Sequence, residues 1–519
     1  MLRKIRVSFA VLFFVLITLL FLDFTGTVHT WFGWMAKIQF LPALLALNLG
    51  VVVLLVLLTF IFGRIYCSVV CPLGVFQDII SWMAGKRKKN RFRYSKVVSW
   101  LRYGVLGIFV VALIAGVGSL VALLAPYSSY GRIASNLFQP VYMWGNNLLA
   151  LLAERADSYA FYSVNVWMKS LPTFMVAIVS FVVIAVLAWR AGRTYCNTIC
   201  PVGTINPCRW YLSVFSYCNT ICPVGTVLGF IARYSWLKPV IDSSKCVNCN
   251  LCARNCKASC IDVKEHQIDY SRCVACMDCI GKCHKGAIRY IHPSGERVKK
   301  TDDRVTGEQI DRARRSFFTA TAVLAATAAM KAQEKKVDGG LAVIEDKKIP
   351  DRATSLTPPG SLSARHFAQH CTACQLCVSV CPNEVLRPAT GLMKLMQPDM
   401  SYERGYCRPE CTKCAEVCPA GAISPITPAD KSAIQIGHAV WIKENCVPLT
   451  DGVECGNCAR HCPTGAIQMV ASEPDSPDSL KIPVVNTERC IGCGACENLC
   501  PARPFSAIYV EGHLAHKII

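Results

Sequence analysis

The sequence predicts two kinds of structure in one chain: a membrane α-helical domain with four transmembrane helices, and small α+β modules organised around clustered cysteines. Composition is the first observation behind this prediction, because the 519 residues are 53% hydrophobic with a mean hydropathy of +0.36. That is too apolar for an average soluble protein. In addition, four long segments carry no charge, and 24 of the 32 cysteines fall into six runs of four.

The four uncharged segments are predicted to cross a membrane. A crossing takes about 20 apolar residues, with a range of about 17 to 25. Segments 38–63, 103–131 and 170–189 meet this length, whereas 7–22 is short and depends on its basic flank at residues 3–6. A cleaved signal peptide is the alternative for 7–22. Lysine and arginine are concentrated in 64–98, so the positive-inside rule puts that segment and the N-terminus in the cytoplasm.

The six cysteine runs have the spacing of iron–sulfur ligands. Three thiolates on one tight loop reach three corners of an iron–sulfur cube, and the fourth binds the neighbouring cube. A disulfide scaffold would have irregular spacing, and a zinc site would have two CxxC pairs farther apart. Four runs read CxxCxxCxxxC and two have a longer first gap: Cys246, Cys249, Cys252, Cys256; Cys273, Cys276, Cys279, Cys283; Cys371, Cys374, Cys377, Cys381; Cys490, Cys493, Cys496, Cys500; and, with the longer gap, Cys407, Cys411, Cys414, Cys418; Cys446, Cys455, Cys458, Cys462.

We therefore predict six [4Fe–4S] clusters on ferredoxin-like α+β modules, with roughly 24 iron atoms per chain. The predicted domains are a membrane domain at 1–240, a two-cluster module at 241–291, a linker at 292–364 and a four-cluster domain at 365–519. Within the last domain, nesting predicts that the outer runs (371–381 and 490–500) pair with each other, as do the inner runs. Proline follows the last cysteine of the four C-terminal runs, but Lys257 and His284 replace it in the first two.

The membrane domain carries a second cysteine motif, CxxxCP, in each half. Cysteines four residues apart share one face of a helix. If the halves meet, their thiols could hold a further metal or form a redox-active disulfide; simple packing is the alternative. Residues 195–204 recur unchanged at 217–226, which adds a third copy. The cysteines of these motifs are Cys67, Cys71, Cys196, Cys200, Cys218 and Cys222, whereas Cys208 and Cys260 have no partner at ligand spacing and are predicted to be structural.

The net charge of +21 does not predict nucleic-acid binding. Each cube with four thiolates carries about −2, so six would reduce the total to roughly +9. Much of the remaining excess flanks the predicted spans, where membrane lipid is the partner. Asp23 and His29, just beyond the first span, could take protons released from a quinol, although an ordinary loop role explains them equally well.

Arg314 and Arg315 precede a short Ala-rich segment in the linker, a pattern similar to a twin-arginine export signal. A basic-flanked surface helix is the alternative. Residues 1–290, with their spans, CxxxCP motifs and two cysteine runs, resemble the NapH-type membrane ferredoxin subunit and the wider group of membrane polyferredoxins of nitrous-oxide reductase and cytochrome oxidase assembly. Residues 310–519 resemble the NapG-type exported ferredoxin, so the chain resembles a fusion of the two.

This resemblance implies quinol oxidation at the bacterial inner membrane and electron delivery to a periplasmic reductase, with 241–291 cytoplasmic and 365–519 periplasmic. We expect a multi-pass electron-transfer protein that draws on the quinone pool and serves a partner reductase. No nucleotide fingerprint and no paired nucleophile and base point to substrate turnover. Two other functions remain open: a maturation factor that reduces or inserts a metal through the CxxxCP thiols, and a redox sensor, for which no output domain is visible.

Overall fold

The computed structural model describes residues 2–85, 92, 94, 99–158, 160–191, 222–292, 345–473 and 479–519. Helices dominate and strands are few. The N-terminal helices are α1 (Leu2–Leu22), α2 (Thr27–Phe32), α3 (Trp34–Lys37), α4 (Phe40–Leu45), α5 (Leu49–Phe62), α6 (Ile65–Val69), α7 (Pro72–Gly85), α8 (Ser99–Ile114), α9 (Gly118–Leu124), α10 (Pro126–Ile133), a π-helical turn (Ala134–Phe138), α11 (Gln139–Arg155), α12 (Leu171–Ala191) and α13 (Pro223–Ile231).

Four transmembrane helices are not supported. Within the described residues, two helices are long and apolar enough to cross a membrane, Leu2–Leu22 and Leu171–Trp189. The other two predicted spans contain only shorter apolar helices, Leu49–Phe62 and Arg102–Ile114. The described residues therefore support two of the four predicted spans.

Local backbone chemistry explains why the other two segments are broken. Leu47 has the left-handed φ of 52°, and the Asn48 side chain then accepts a hydrogen bond from the Val51 amide, which starts a new helix. In the other segment, Gly116 has a φ of 72° and Pro126 begins α10. Absence of charge signals an apolar segment, but it does not show whether that segment is one helix.

The first cysteine-rich module is built from two small antiparallel pairs of strands. Strand β1 (Lys238–Ile241) pairs with β4 (Ile288–Ile291), and β2 (Ile261–Asp262) pairs with β3 (Gln267–Ile268). Short helices α14 (Leu251–Arg254) and α15 (Asp278–Lys282) lie between them. Because β1 pairs with the last strand of the module, β4, the module begins at Lys238.

The C-terminal domain has the same small-sheet character. Its elements are α16 (Ala364–His370), α17 (Leu376–Val380), β5 (Leu386–Pro388), β6 (Pro398–Met400), α18 (Lys413–Val417), α19 (Pro428–Ala433), β7 (Ile434–Trp441), α20 (Val447–Thr450), α21 (Asn457–Arg460), β8 (Ile467–Ala471), β9 (Lys481–Val485), α22 (Ala495–Leu499) and β10 (Ile508–Ile518), with a 3-10 turn at Leu392–Lys394. The longest pair of strands joins β7 and β10 in antiparallel register, and β5 with β6 and β8 with β9 form two further pairs.

Residues 345–364 belong to this domain, although the sequence analysis assigned them to the linker. Lys347 Nζ donates to the carbonyl oxygen of Glu497 at 2.6 Å, and Leu356 is completely buried. The segment has no cysteine and little regular structure, so its sequence resembles a linker. Arg314, Arg315 and the Ala-rich segment that follows lie outside the described residues.

The two cysteine-rich parts lie at opposite ends of α1. At its start, Arg3 Nε contacts Asp278 Oδ1 of the first module at 2.7 Å. Just beyond its end, the carbonyl oxygen of Thr25 accepts a hydrogen bond from Lys413 Nζ of the C-terminal domain at 3.3 Å. Its 21 residues correspond to about 31 Å, the thickness of a bilayer's hydrocarbon core.

Helix α8 repeats this arrangement. Near its start, Arg102 Nη1 donates to Ser271 Oγ of the first module at 3.3 Å. After its end, a Cβ atom on Gly116 would lie 3.7 Å from the Gln369 side chain of the C-terminal domain. Two helices thus independently separate the same two parts of the chain.

Candidate iron–sulfur centres

The four CxxCxxCxxxC runs share one backbone conformation. In each, the residue two after the first cysteine and the residue one after the second have positive φ, and a short helix then begins that carries the third cysteine. Such left-handed positions wrap the loop tightly and turn the three thiols towards one point. The eight residues are Asn248, Asn250, Ala275, Met277, Ala373, Gln375, Gly492 and Gly494.

The first module brings its two runs together as the spacing predicts. Cys256, the last cysteine of the first run, lines one cavity with Cys273, Cys276 and Cys279 of the second. This cavity contains about 410 Å³ of space, part of it open to solvent. Cys246, Cys252 and Cys283 lie in the same core, and the exposed Cys249 lies beside Cys252.

In the C-terminal domain, runs that are consecutive in sequence exchange their fourth cysteine. Burial and then neighbouring thiols, Cys418 among them, raise the pKa values of Cys371, Cys374 and Cys377. In the next centre, Cys381 lines a cavity with the three remaining cysteines of the second run. The members of that second centre are Cys381, Cys407, Cys411 and Cys414.

The last two runs pair in the same way. Burial raises the pKa of Cys493 to about 12, and Cys490, Cys462 and Cys407 add to the effect. Burial likewise raises the pKa of Cys458 to about 11, with Cys455, Cys500 and Cys446 beside it. The third centre is therefore Cys490, Cys493, Cys496 and Cys462, and the fourth is Cys446, Cys455, Cys458 and Cys500.

The nested pairing predicted from sequence is thus wrong. Spacing fixes which three cysteines share a loop, but the fourth partner depends on which loops pack together. Here Tyr402, fully buried, donates to the carbonyl oxygen of Gly492 at 2.7 Å, and the Cys407 amide donates to the carbonyl oxygen of Cys493 at 2.9 Å. These contacts place the second centre beside the third, without exchange of ligands.

The cysteine sites fit cubes better than single metal ions. A tetrahedral ion with metal–sulfur bonds of about 2.3 Å needs its ligands close together, and the described residues contain no such group of three or more. The 24 cysteines of the six runs form no disulfide. Burial raises the pKa values of Cys377, Cys414 and Cys496, so a cationic centre is needed to hold these thiols as thiolates. Thiols grouped around a shared space meet that need when a [4Fe–4S] cube binds.

Cys260 is a site residue that the sequence analysis missed. Its Sγ lies 3.5 Å from Cys256 Sγ, and it is also hydrogen-bonded to Cys273. It lines the cavity of Cys256, Cys273, Cys276 and Cys279 as a fifth sulfur. The prediction that Cys260 is only structural is therefore wrong; its position four residues after Cys256 was the available signal.

Lys257 has a positioning role that explains the missing proline. Its Nζ lies 3.5 Å from Asp78 Oδ1 on α7 and 3.1 Å from Asp278 Oδ2. Arg6 also pairs with Asp78, and Arg3 with Asp278. This network joins α1 and α7 to the first module, so a charged residue after Cys256 fixes the module to the helices.

The CxxxCP cysteines partly converge. Cys67, Cys71 and Cys222 are buried around Tyr66, so the first motif meets the second copy of the duplicated sequence. Arg64 Nη2 lies 3.7 Å from Cys67 Sγ and Arg64 Nη1 donates to the Ser271 carbonyl oxygen at 3.1 Å. The remaining members, Cys196, Cys200 and Cys218, together with Cys208, lie outside the described residues.

Asp23 and His29 form a loop contact. The Asp23 carboxylate accepts hydrogen bonds from the amides of Thr25, Gly26 and Val28, at 2.8–2.9 Å, and lies 3.3 Å from His29 Nδ1. These hydrogen bonds to the Asp23 carboxylate stabilise the turn that follows α1. The proposed proton-accepting role remains untested.

Comparison with known proteins identifies iron–sulfur domains in both halves. A "4Fe-4S binding domain" model matches residues 44–90, 173–212 and 216–242, and a "4Fe-4S dicluster domain" model matches residues 453–503. The second match contains most of the last two runs, in agreement with their pairing. No solved structure matches the chain significantly.

Three curated relatives illustrate the similarity. The ferredoxin-type protein NapF of Escherichia coli K12 is 28% identical over 181 residues, which are 34% of this chain and 99% of NapF. The ferredoxin-type protein NapG of the same strain is 29% identical over 31% of this chain and 75% of NapG. The methylamine utilization ferredoxin-type protein MauM of Methylophilus methylotrophus is 34% identical over 31% of this chain and 72% of MauM. Over about a third of its length, the chain therefore belongs to the family of ferredoxin-type iron–sulfur electron-transfer proteins that includes MauM.

Proposed function

We propose that the chain is a membrane-bound electron-transfer protein that takes electrons from quinol and relays them through [4Fe–4S] clusters to a partner reductase. The observation that carries this proposal is the order of the four C-terminal centres. The first centre lies against the helices, since Gly131 of α10 is so close to the Cys374 carbonyl oxygen that a Cβ atom on Gly131 would collide with it. The second and third adjoin through Cys407 and Cys493, and the fourth lies beyond them.

The bound clusters would supply one-electron carriers, while this chain fixes their order and surroundings. Desolvation supports that role, because seven of the eight cysteines of the first two centres, all except Cys411, belong to the same apolar core as the membrane helices. At the far end, Leu449 and Val453 are exposed beside the fourth centre. That surface would receive the partner.

Aromatic side chains support a path between the two ends of the bundle. The ring centroids of Phe76 and Tyr130 are 6.2 Å apart, those of Tyr130 and Phe21 6.3 Å, and those of Phe21 and Tyr127 5.7 Å. Tyr127 lies beside Cys374. Close packing of these rings excludes water between α7 and the first C-terminal centre.

We further propose that α1 and α12 anchor the protein in the bacterial inner membrane, with 241–291 in the cytoplasm and the C-terminal domain in the periplasm. This arrangement is supported by α1 and α8, because each of these helices leads from the first cysteine-rich module at its start to the C-terminal domain beyond its end. In this arrangement Arg314 and Arg315 would direct export of the C-terminal domain, and residues 1–290 would be the NapH-type part of a fusion.

Reduction by quinol tests this function. The purified full-length protein, loaded with clusters in lipid nanodiscs, is mixed anaerobically with menadiol, and loss of iron–sulfur absorbance is followed. We expect bleaching on a turnover time scale, and reoxidation when an oxidised electron-acceptor protein is added. Absence of bleaching by menadiol, in protein that dithionite does reduce, would reject quinol as the donor.

A second function is favoured by one observation, the convergence of Cys67, Cys71 and Cys222. A maturation factor would use these thiols to reduce or hold a metal for another enzyme. Replacing Cys67 and Cys71 by serine separates the two functions. The relay predicts that the variant still passes electrons from menadiol to the acceptor protein and that the partner enzyme keeps its full metal content, whereas the maturation factor predicts a partner enzyme depleted of metal.

A further inference from the structure

A large cavity separates the start of α12 from the C-terminal domain. Residues 169–172 form one wall, and residues 349–357, 364–368 and 387–401 supply much of the rest. The cavity has a volume of about 810 Å³, which lies within the range of small-molecule sites. No cysteine of the described centres lines this cavity.

One wall of this cavity carries charged and hydroxyl side chains. Arg352, Ser355, Lys394 and Asp399 all line it, and Lys394 Nζ donates to Ser355 Oγ at 2.6 Å. Small-molecule sites place a few polar groups of this kind in an otherwise apolar cavity. This wall is therefore suited to a ligand with hydroxyl or carbonyl groups.

The mouth of the cavity is apolar and adjoins the helices. Leu392 and Met393 lie on the 3-10 turn at the rim and are 84% and 61% exposed. This turn contacts α9, and Leu171 at the start of α12 is also exposed on the rim. Exposed large apolar side chains beside a membrane-anchoring helix mark a place where a lipid-soluble molecule can enter.

The interior of the cavity adjoins cluster ligands. Gln397 Nε2 is 2.9 Å from the carbonyl oxygen of Cys371, a ligand of the first C-terminal centre. On the opposite wall, Lys169 lies near Cys377 and Cys381. The cavity also contains a buried carboxyl group, Asp399, which faces Arg352 and Lys394. Burial raises the pKa of Asp399 to about 6, so it can accept and release a proton near neutral pH.

We propose that this cavity is the quinol-binding site, with Asp399 and Lys394 holding the hydroxyl groups and the Leu392–Met393 rim admitting the molecule from the membrane. This inference rests on the proposed function. Oxidation of one quinol to quinone releases two electrons and two protons. The electrons leave one at a time towards the centre of Cys371, Cys374, Cys377 and Cys418, and finally reduce an oxidised partner protein. The protons pass from the hydroxyl groups to Asp399 and then to water.

Two variants test the site in the full-length, cluster-loaded protein. Thr390→Trp narrows the mouth from an exposed position, and Asp399→Asn removes the proton acceptor. Thr487→Trp, at an exposed threonine away from the cavity, is the matched control. We expect menadiol bleaching to slow at least tenfold in the first two variants and to stay unchanged in the control, while dithionite reduces all of them equally.

A binding measurement separates this inference from the proposed function. A photoreactive azido-quinone should label peptides within 349–357 or 387–401 of the wild-type protein, and Thr390→Trp should reduce that labelling. If menadiol bleaches the wild type but both cavity variants react like Thr487→Trp, the site is wrong and the proposed function stands. If menadiol fails on the wild type while the label maps to the cavity, the quinone site stands and the relay from quinol is rejected. Labelling elsewhere, for example at residues 23–29, overturns the site.

Discussion

Arg3 Nε lies 2.7 Å from Asp278 Oδ1, so the first turn of α1 is fixed to the first cysteine-rich module. The opposite end of the same helix leads to Thr25, whose carbonyl oxygen accepts a hydrogen bond from Lys413 of the C-terminal domain. One helix of bilayer length therefore contacts both cysteine-rich parts, one at each end. The predictions below follow from this arrangement and from the centres it separates.

Lys257→Ala should loosen the first module from the helices. Lys257 bridges Asp78 and Asp278, and its side chain is only 16% exposed. Removing one partner of such a buried network costs about 3 kcal/mol. Hydrogen exchange should become faster in α7 and α15, whereas Lys264→Ala, at an exposed lysine of the same module, should leave exchange unchanged. Equal protection in both variants would show that the network does not hold the module.

Cys260→Ala should lower the reduction potential of the centre at Cys256, Cys273, Cys276 and Cys279. The Cys260 thiol lies 3.5 Å from Cys256 Sγ, and hydrogen bonds to cluster sulfurs stabilise the reduced state. Cys260→Ser keeps a donor and should restore most of the potential. A redox titration followed by electron paramagnetic resonance measures both. A potential that is the same in the wild type and the alanine variant would contradict this role.

Because paired runs each supply the fourth cysteine of the other run's centre, the iron content of double variants can be predicted. Cys371 and Cys418 belong to one centre, so Cys371→Ser with Cys418→Ser should lose about four iron atoms. Cys371→Ser with Cys381→Ser affects two centres and should lose about eight. The nested arrangement would put Cys371 and Cys418 in different centres, and the first double variant would then lose about eight. Iron analysis of the purified variants distinguishes the two arrangements.

Asp399 should make the folded C-terminal domain less stable as pH rises. Its pKa is raised from 3.8 to about 6 by burial, although Arg352 and Lys394 oppose that shift. The folded state then binds a proton that the unfolded state has already lost, so the contribution is present below about pH 4 and disappears as pH rises through about 6. The effect is on the order of 3 kcal/mol.

This pH dependence is checked with Asp399→Asn. Thermal unfolding followed by circular dichroism at pH 5 and pH 7.5 should show a smaller pH-dependent fall in the midpoint for the variant than for the wild type. His516 titrates in the opposite sense, because burial lowers its pKa to about 4, but it is present in both proteins. Parallel pH profiles would show that Asp399 does not carry the proton.

Sequence alone could predict the cysteine triplets, because the CxxCxxC spacing determines a local loop with two left-handed residues. It could not predict the partner of Cys418 or the proximity of Cys260 to Cys273, since both depend on how separate loops pack. The number of long helices was also wrong, because Asn48 and Gly116 interrupt apolar segments without adding charge. The cavity between α12 and the C-terminal domain could not be predicted for the same reason, because residues 169–172 and 387–401 are brought together only when these parts pack against each other.

The position of the two cysteine-rich parts on opposite faces of the membrane is the central claim, and protease protection of tagged full-length protein tests it most directly. One epitope is inserted at the exposed turn of Lys264 and Glu265, and another follows Ile519. In intact spheroplasts, external protease should remove the C-terminal epitope and leave the first one until the cells are lysed. Equal protection, or equal loss, of both epitopes would contradict the two-faced arrangement.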